Sequence, residues 1–270
     1  MDFDFSLILV SLTALSGVLW LIDALFFAPK RKAKLAAAEA EQGQVLPETT
    51  RAKILQQPGW ADLGKSMFPV LAVVLVLRSF LFEPFQIPSG SMLPTLQIGD
   101  FILVNKFHYG LRLPVTHTKL VSINEPEHGE VVVFRYPNNP SINYIKRVIG
   151  LPGDVISYQN KTFYINGEEV EAELLARLPP VNPEVLLFNE TLGEHSYTTY
   201  QDVGRPSMTA QWVVPEGHYF TIGDNRDNSN DSRYWGFVSE ELLVGKAVVV
   251  WMHWDNFFSL PDLSVMRKIR

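Results

Sequence analysis

The sequence predicts an antiparallel all-β domain that is preceded by two membrane-spanning helices. Two long apolar runs near the N-terminus and a change of pattern from residue 99 onward are the observations behind this prediction. In the later part, short runs rich in Val, Ile, Tyr and Phe alternate with Gly, Pro and Asn, as expected of strands joined by turns. Charged residues make up only 19% of the 270 residues, against about 25% in typical globular proteins. Part of the chain is therefore unusually apolar.

The first apolar run, residues 5–28, holds a single charged residue, Asp23. At about 1.5 Å per residue it is long enough to cross a hydrocarbon layer of about 30 Å. A cleaved signal peptide is the competing interpretation, but the residues before the run include Asp2 and Asp4 and no basic side chain. We therefore expect a transmembrane helix over 5–28 and a short N-terminus at 1–4 that faces outward.

The second apolar run predicts a shorter transmembrane helix over residues 66–82. It contains Arg78, whose long side chain can reach the membrane interface. The linker between the runs, residues 29–65, begins with the basic cluster KRKAK. Basic loops stay in the cytoplasm by the positive-inside rule, so residues 83–270 are expected on the opposite side of the membrane.

The soluble part has eight predicted strands and one insertion. Asn166-Gly167 is a hairpin signal, because a type I′ turn needs positive φ at both central residues. An insertion subdomain is expected at about 160–212, where residues 168–210 show weak periodicity that suggests a β-ribbon with long loops. A short helix is expected at 239–244, with Ser239 as its N-cap. The strands are expected at 101–107, 130–136, 143–149, 154–159, 162–165, 211–214, 218–223 and 246–252.

Composition excludes several kinds of function. The formal net charge of −6 argues against a nucleic-acid partner, which would need a basic face. The chain has no cysteine, which rules out disulfides, a thiol nucleophile and Cys-ligated zinc. It also lacks an H-E-x-x-H motif. We expect neither a metal nor a cofactor.

Residues 88–96, PSGSMLPTL, cannot continue a helix or a central strand, because each proline removes a donor and restricts the residue before it. One interpretation is a rigid turn whose serines satisfy their own backbone. The other is a held nucleophile, Ser91, with a second hydroxyl two residues away. The segment alone does not decide between them.

A base for such a nucleophile is sought first among histidines, but none of the six lies in a recognisable catalytic frame. Lys146 is the next candidate, since it lies within the mostly apolar strand of NYIKRVIGLPGD. Burial disfavours the ammonium and lowers the pKa of a lysine, and a neutral amine can accept a proton from a serine. The alternative is that Lys146 only reaches solvent or pairs with a carboxylate.

The third segment of interest is GDNRDNSNDSRYWG, residues 223–236. A calcium loop does not fit, because no register gives a glycine at the sixth position and a glutamate at the twelfth. Ser229 or Ser232 could orient a neighbouring catalytic group. Ion pairs within the segment are expected between the carboxylates of Asp224, Asp227 and Asp231 and the guanidinium groups of Arg226 and Arg233.

Together, PSGSMLPTL with IGDFILVNKF, YIKRVIGLPGD and GDNRDNSNDSRYWGFV resemble the conserved boxes of the bacterial type I signal peptidases, or leader peptidases. The order of the boxes matches, and so do the two spans of the Gram-negative members. The resemblance covers about residues 60–252. It implies the all-β fold that signal peptidases share with LexA-like proteins.

The resemblance implies a serine endopeptidase with a Ser–Lys dyad. Ser91 would be the nucleophile and Lys146 the general base. The Ser89 hydroxyl and the backbone N–H of Ser91 would form the oxyanion hole. Ser229 would hydrogen-bond Lys146.

The resemblance also implies a brace and a substrate site. Asp231, with Arg233, would support the corner beside Lys146. The substrate would bind as an extended strand, with the small side chains of an A-x-A-like site in two apolar pockets. These pockets would be lined by Phe85, Ile87, Met92, Leu96, Val133, Tyr144 and Ile145.

The implied function is removal of signal peptides from exported preproteins at the inner membrane, with the catalytic domain in the periplasm. Expected partners are preprotein signal peptides, membrane lipid and the secretion translocon. Two departures concern only the insertion: the interval from Lys146 to Ser229 is short, and the cysteine pair of some members is absent. The alternatives are a self-cleaving LexA-like repressor, disfavoured by the two spans and the lack of a DNA-binding segment, and a tethered β-domain that binds peptides or partner proteins without catalysis.

Overall fold

The computed structural model describes residues 5–182, 184–255 and 259–269, which divide into a helical unit and a β unit. The helical unit holds the chain up to Ser79 together with residues 114–116. Its helices are α1 (Phe5–Ile22), α2 (Ala28–Gln42), α3 (Glu48–Leu55) and α4 (Gly59–Val76).

Two helical stretches of this unit, Phe5–Gln42 and Gly59–Leu81, are long and apolar enough to cross a membrane, as predicted. The first continues from α1 through a π-helical segment into α2, well past residue 28, because residues 31–42 are rich in Ala, Lys and Glu, which favour helix. The second begins seven residues before the predicted start at 66.

Helices α1 and α4 pack closely through small residues. A Cβ on Gly64 would lie 2.9 Å from the carbonyl oxygen of Ser16, so only glycine allows this approach. The single charged residue of the first apolar run, Asp23, is paired with a cation. Asp23 accepts two hydrogen bonds of 2.7 Å from the guanidinium of Arg31, the bidentate geometry that neutralises a buried carboxylate.

The β unit consists of antiparallel sheets. A main sheet has the order β1-β2-β16-β5-β6-β14-β15, with β17 added beside β16. A second sheet, β13-β7-β8-β9, and a three-stranded meander, β10-β11-β12, form the subdomain inserted after β6. In chain order the strands are β1 (Phe82–Gln86), β2 (Asp100–Asn105), β3 (Leu111–Arg112), β4 (Lys119–Val121), β5 (Val131–Tyr136), β6 (Asn139–Gly150), β7 (Val155–Gln159), β8 (Thr162–Ile165), β9 (Glu168–Glu169), β10 (Glu171–Leu178), β11 (Val185–Leu192), β12 (His195–Asp202), β13 (Ala210–Val213), β14 (His218–Ile222), β15 (Val238–Ser239), β16 (Leu243–His253) and β17 (Arg267–Lys268).

The eight predicted strands are confirmed, with ends that shift by a few residues. Asn166 and Gly167 have φ of 55° and 90° in the turn between β8 and β9, as a type I′ hairpin requires. Strand β1 was not predicted, and it contains Pro84. This proline is tolerated because β1 is an edge strand that pairs only with β2 among the described strands.

Two other expectations were wrong in detail. The insertion is not a ribbon with long loops, because β10, β11 and β12 form a regular meander. The helix expected at 239–244 is a single 3₁₀ turn over Glu240–Leu242, although Ser239 does cap it by accepting a hydrogen bond from the N–H of Glu241. Strand β16 begins at Leu243, which pairs with Phe134 of β5. Gly245 lies so close to β2 that a Cβ would come within 2.3 Å of the Asn105 carbonyl oxygen.

Candidate active site

The segment that carries Ser91 is a short 3₁₀ turn over Gly90–Met92, entered through an extended Ser89. The side chains of Met92 and Leu96 are fully buried in the core below the main sheet. They fix the backbone on either side of Pro94, while Ser91 keeps its hydroxyl at the surface of a cleft. The sequence therefore forms a rigid loop that presents a serine.

Lys146 projects from β6 toward this loop. Its Nζ donates a hydrogen bond of 2.5 Å to Oγ of Ser91. The residue is only 3% exposed, and no carboxylate of the described residues lies within ion-pair distance of the amine. Burial lowers the pKa of Lys146 from 10.5 to about 8, against the opposing effect of the charges on Asp231 and Asp224. The serine hydroxyl thus contacts an amine that loses its proton easily.

Arg147, the next residue of β6, is buried together with a carboxylate partner. It is fully buried and donates to both oxygens of Asp224, at 2.8 and 2.7 Å. Its guanidinium also lies 3.7 Å from the ring centre of Tyr197. Asp224 accepts a further hydrogen bond of 2.5 Å from Thr95, four residues after the nucleophile. This ion pair therefore connects β6 to the loop that holds Ser91.

The expected pair of Asp231 and Arg233 is confirmed. Asp231 caps the short helix α5 (Ser232–Trp235), and its two carboxylate oxygens each accept a hydrogen bond of 2.8 Å from Arg233. Asp231 also accepts from the backbone N–H of Gly223 at 3.1 Å. The carboxylate thus ties together the two ends of the segment from 223 to 233.

The other ion pairs expected within that segment were wrong. Asp224 pairs with Arg147, Arg226 with Glu190 of the insertion, and Asp227 with Lys161. The partners lie far away in the sequence, so the spacing of charges inside the segment could not reveal them.

Ser229 lies at the site but does not make the expected hydrogen bond to Lys146. Its hydroxyl is buried and has no hydrogen-bond partner among the described residues. A Cβ on Gly223 would lie 2.2 Å from Oγ of Ser229 and 2.4 Å from the carbonyl oxygen of Ser91. Gly223, which sequence analysis overlooked, thus leaves room for Ser229 next to the nucleophile loop.

The cleft around the Ser91–Lys146 pair has a volume of about 520 Å³. The asparagines on one side of it were not among the site residues predicted from the sequence. Asn225 donates from its backbone N–H to the carbonyl oxygen of Ser91 at 3.1 Å and from its side chain to that of Gly90 at 3.0 Å. The cleft is lined by Pro88, Ser89, Gly90, Ser91, Ile142, Asn143, Tyr144, Ile145, Lys146, Asn225, Asn228 and Asn230.

Of the seven residues expected to line substrate pockets, Tyr144 and Ile145 lie in the cleft wall. Phe85 is half-buried and packs on the edge of the core. The remaining four do not line the cleft, since their side chains fill the core beneath the loop. They are Ile87, Met92, Leu96 and Val133.

A group that could hold a metal lies outside the cleft. Ligand atoms of Glu127, Glu130 and His195 lie within 4.8 Å of one another. Glu130, however, is already bound by the hydroxyl of Tyr109 at 2.7 Å and by the amine of Lys246. The ion pair of Glu130 with Lys246 and its hydrogen bond from Tyr109 therefore account for the carboxylate at this place.

Comparison with known proteins gives one consistent result. The family model "Signal peptidase, peptidase S26" matches residues 60–254. This chain belongs to that family. The chain is 48% identical to signal peptidase I of Pseudomonas aeruginosa, with 98% of each chain covered, and 50% identical to that of Pseudomonas fluorescens, with 100% of each covered. A solved signal peptidase I from Enterococcus faecalis V583 is 32% identical over 46% of this chain and 98% of its own, with a TM-score of 0.31.

As a member of the signal peptidase family, the chain is a serine peptidase that cleaves signal peptides from preproteins. Its two apolar N-terminal helices fit a membrane-anchored enzyme. The assignment favours a signal peptidase over the two alternatives, a self-cleaving LexA-like repressor and a β-domain that binds peptides without catalysis.

Proposed function

We propose that this signal peptidase is a membrane-tethered endopeptidase that uses a Ser91–Lys146 dyad to cut after A-x-A-like sites. The observation that carries the proposal is the 2.5 Å contact between a buried amine without a carboxylate partner and the hydroxyl of Ser91. With its pKa near 8 rather than 10.5, Lys146 has a neutral fraction at pH 7 that is larger by roughly a few hundredfold.

In the first step, neutral Lys146 accepts the proton of the Ser91 hydroxyl as Oγ attacks the carbonyl carbon of the scissile peptide. The tetrahedral intermediate then collapses and Lys146 gives this proton to the departing amine. The signal peptide remains as an ester on Ser91, and the mature protein leaves with a new N-terminus. Lys146, neutral again, removes a proton from water as the water oxygen attacks the ester carbon. It returns this proton to Oγ of Ser91 when the ester bond breaks, which releases the signal peptide and restores the serine.

The backbone N–H of Ser91 and the hydroxyl of Ser89 form the oxyanion hole. Ser89 lies in the cleft wall two residues before the nucleophile, which supports this role. Donors of this kind act on charge that develops in the transition state, so the loss of one costs about 10²–10³ in rate. The hydroxyl of Ser229 has no partner among the described residues in the resting enzyme, so it can turn to accept a hydrogen bond from the ammonium of Lys146 that forms in this step. Asp231 and Arg233 hold the segment that carries Ser229.

The residues before the scissile bond bind as a strand along β6. On one side, residues 143–146 of β6 pair with β5. On the other side, β14 pairs with β6 only from Arg147 to Gly150, so this second edge of residues 142–146 has no strand partner among the described residues. A peptide can add to such an edge through its backbone. The alternate side chains of the bound substrate must be small. Tyr144 and Ile145 occupy the space beside this edge of β6, and the core beneath them is already filled.

The membrane arrangement follows the distribution of charge. Residues 5–28 and 66–82 span the inner membrane, the basic linker at 29–65 lies in the cytoplasm, and residues 1–4 and 83–270 lie on the periplasmic side. The chain from the second span to Ser91 is short, which supports a catalytic site close to the membrane surface. Lipid and the translocon that delivers preproteins are the neighbours expected there.

The direct test is cleavage of one preprotein with an Ala-x-Ala site by the full-length protein in liposomes. The wild type is expected to cut after the second alanine. Ser91→Ala, with unchanged thermal unfolding, is expected to be slower by about 10⁴-fold or more, as in other serine peptidases that lose their nucleophile. Cleavage by Ser91→Ala at a comparable rate would refute the dyad.

A further inference from the structure

A second cavity, which we call the downstream cavity, lies next to the active-site cleft. Its volume is about 330 Å³. It shares Asn225 and Asn228 with the cleft, so the two spaces meet at these residues. The rest of its wall consists of Leu93, Leu178, Val185, Tyr200 and Asp202.

The insertion supplies most of this wall. Leu178 is the last residue of β10 and Val185 the first of β11, and the two are paired across the strands. Val185 is paired in turn with Asp202, the last residue of β12. One end of the meander therefore faces the loop that carries Ser91. At this end Leu178 is 38% exposed.

The wall is firmly attached to the catalytic loop. The backbone N–H of Tyr200 donates to the carbonyl oxygen of Asp224 at 2.9 Å, and Tyr200 forms a β-bridge with Asn225. Asn225 in turn donates to the carbonyl oxygen of Ser91 at 3.1 Å. The meander thus has a defined position relative to the nucleophile, as a specificity site requires.

The position of the cavity indicates which part of the substrate reaches it. In the proposed function, on which this inference rests, the signal-peptide side of the scissile bond occupies the end of the cleft beside residues 142–145. The scissile bond lies at Ser91, between that end and Asn225. The chain beyond the scissile bond therefore leaves toward Asn225 and Asn228, where the downstream cavity begins. At about 3.3 Å per residue, an extended chain reaches it within its first few residues.

We propose that the downstream cavity is a subsite for an apolar side chain among the first residues of the mature protein. Three aliphatic side chains, Leu93, Leu178 and Val185, favour an apolar occupant. The carboxylate of Asp202 at the rim is partly neutralised, since Arg205 lies 3.5 Å from it and the N–H of Gly204 donates to it. The insertion would in this way make cleavage depend on the first residues of the mature protein as well as on the signal peptide.

The subsite acts in only one half of the reaction. The mature segment departs with the leaving amine when the ester on Ser91 forms. Contacts in the downstream cavity therefore change the rate of acylation, while hydrolysis of the ester depends on the signal peptide alone. A contribution confined to acylation distinguishes a substrate contact from a general effect on folding.

The test uses the full-length protein in detergent and a series of preproteins that share one signal peptide and one Ala-x-Ala site. In the reference preprotein the first six mature residues are all serine. In each of the others a single leucine replaces one serine, at a position from the second to the sixth. At one of these positions we expect leucine to raise kcat/KM about tenfold over serine, the effect of partly burying one large apolar side chain. The single-turnover acylation rate should rise by the same factor.

Leu178→Asp is expected to reduce this preference for leucine to a ratio near one. The matched control is Leu174→Asp, on the same strand, 39% exposed and outside the cavity wall, which should keep the tenfold ratio. Because the readout is a ratio between two substrates, a general loss of folded enzyme does not change it. If Leu178→Asp fails to fold, Leu178→Thr serves in its place with the same expected loss.

Two results would overturn the inference. One is equal kcat/KM for leucine and serine at every position in the wild type. The other is a preference that survives in Leu178→Asp and disappears in Tyr234→Ala, which would place the mature segment over the neighbouring basin of Arg205 and Tyr234. Either result leaves Ser91-dependent cleavage intact, whereas failure of the proposed function would abolish the dependence on Ser91 for all substrates.

Discussion

The two faces of β6 bury cations in opposite ways. On one face, Lys146 contacts a serine hydroxyl and has no carboxylate within ion-pair distance among the described residues. On the other face, Arg147 is bound by both oxygens of Asp224 and by the carbonyl oxygen of Gly129. Residues next to each other in sequence thus lie in very different electrostatic surroundings.

The difference separates a reactive group from a supporting one. A buried charge without a partner is costly, so the equilibrium shifts toward the neutral amine, which can act as a base. A buried guanidinium cannot lose its proton and needs a paired carboxylate. The Arg147–Asp224 pair also fixes Thr95 and hence the loop of Ser91. The face of β6 that carries Arg147 therefore holds in place Ser91 and Lys146, the two groups of the proposed dyad.

Replacing the amine should give the largest effect. Lys146→Met keeps most of the side-chain length and removes the base, so we expect cleavage of a preprotein to fall by about 10⁴-fold or more. At pH 7 the thermal stability of the protein should not fall, because an unpaired buried amine is removed. The measurements are single-turnover cleavage and tryptophan-monitored unfolding in detergent. Retained activity would show that another group is the base.

The corresponding change on the opposite face should affect stability instead. Arg147→Met leaves Asp224 buried without its partner, and we expect a loss of about 3–5 kcal/mol in the free energy of unfolding. The double variant Arg147→Met/Asp224→Asn removes the uncompensated charge and should recover part of this loss. Both are checked by denaturation in detergent. A double variant no more stable than Arg147→Met would contradict the ion-pair explanation.

The lowered pKa of Lys146 predicts a dependence of stability on pH. The group has a pKa of about 8 in the folded protein and 10.5 when exposed, so between these values the unfolded state holds a proton that the folded state has released. Stability therefore rises with pH through this window, while below pH 8 both states are protonated and the burial cost is constant.

Relative to Lys146→Met, the free energy of unfolding of the wild type should increase by about 3 kcal/mol between pH 7 and pH 10.5. Other titrating groups are common to the two proteins and cancel in the difference. The same amine predicts that kcat/KM rises with pH and levels off above about pH 8. A stability difference that does not change with pH would mean that Lys146 titrates normally.

The smallest expected effect compares two buried serines of the segment after β14. Ser232 accepts a hydrogen bond of 2.9 Å from the backbone N–H of Thr221, so Ser232→Ala should cost about 1–3 kcal/mol in the free energy of unfolding. The hydroxyl of Ser229 has no partner among the described residues, so Ser229→Ala should leave stability nearly unchanged.

The comparison of Ser229→Ala with Ser232→Ala also separates a structural role of Ser229 from a catalytic one. If Ser229 meets the ammonium of Lys146 only during the reaction, Ser229→Ala lowers kcat/KM by about 10- to 100-fold, as expected for one hydrogen bond to a charged group. Normal kinetics in Ser229→Ala would remove it from the catalytic machinery.

Local patterns in the sequence were sufficient for most elements, although they missed β1 and predicted a helix at 239–244 that is only a 3₁₀ turn. Apolar length predicted two helices long and apolar enough to cross a membrane, and alternation with turn residues predicted eight strands. The motifs around Ser91 and Lys146 predicted the groups that meet in the cleft, and the pair of Asp231 and Arg233, two residues apart, was found as expected.

Only the tertiary structure decided how distant segments divide the buried charges and the space. Asp224 pairs with Arg147 and Arg226 with Glu190, although closer partners of opposite charge exist in sequence. Met92 and Leu96 fill the core where pocket walls were expected, and Leu178 of the insertion borders a cavity beside the cleft. A period-2 pattern tells which residues share a face, but the neighbours of that face depend on sheet order. Burial, which sets the pKa of Lys146, exists only once those neighbours are in place.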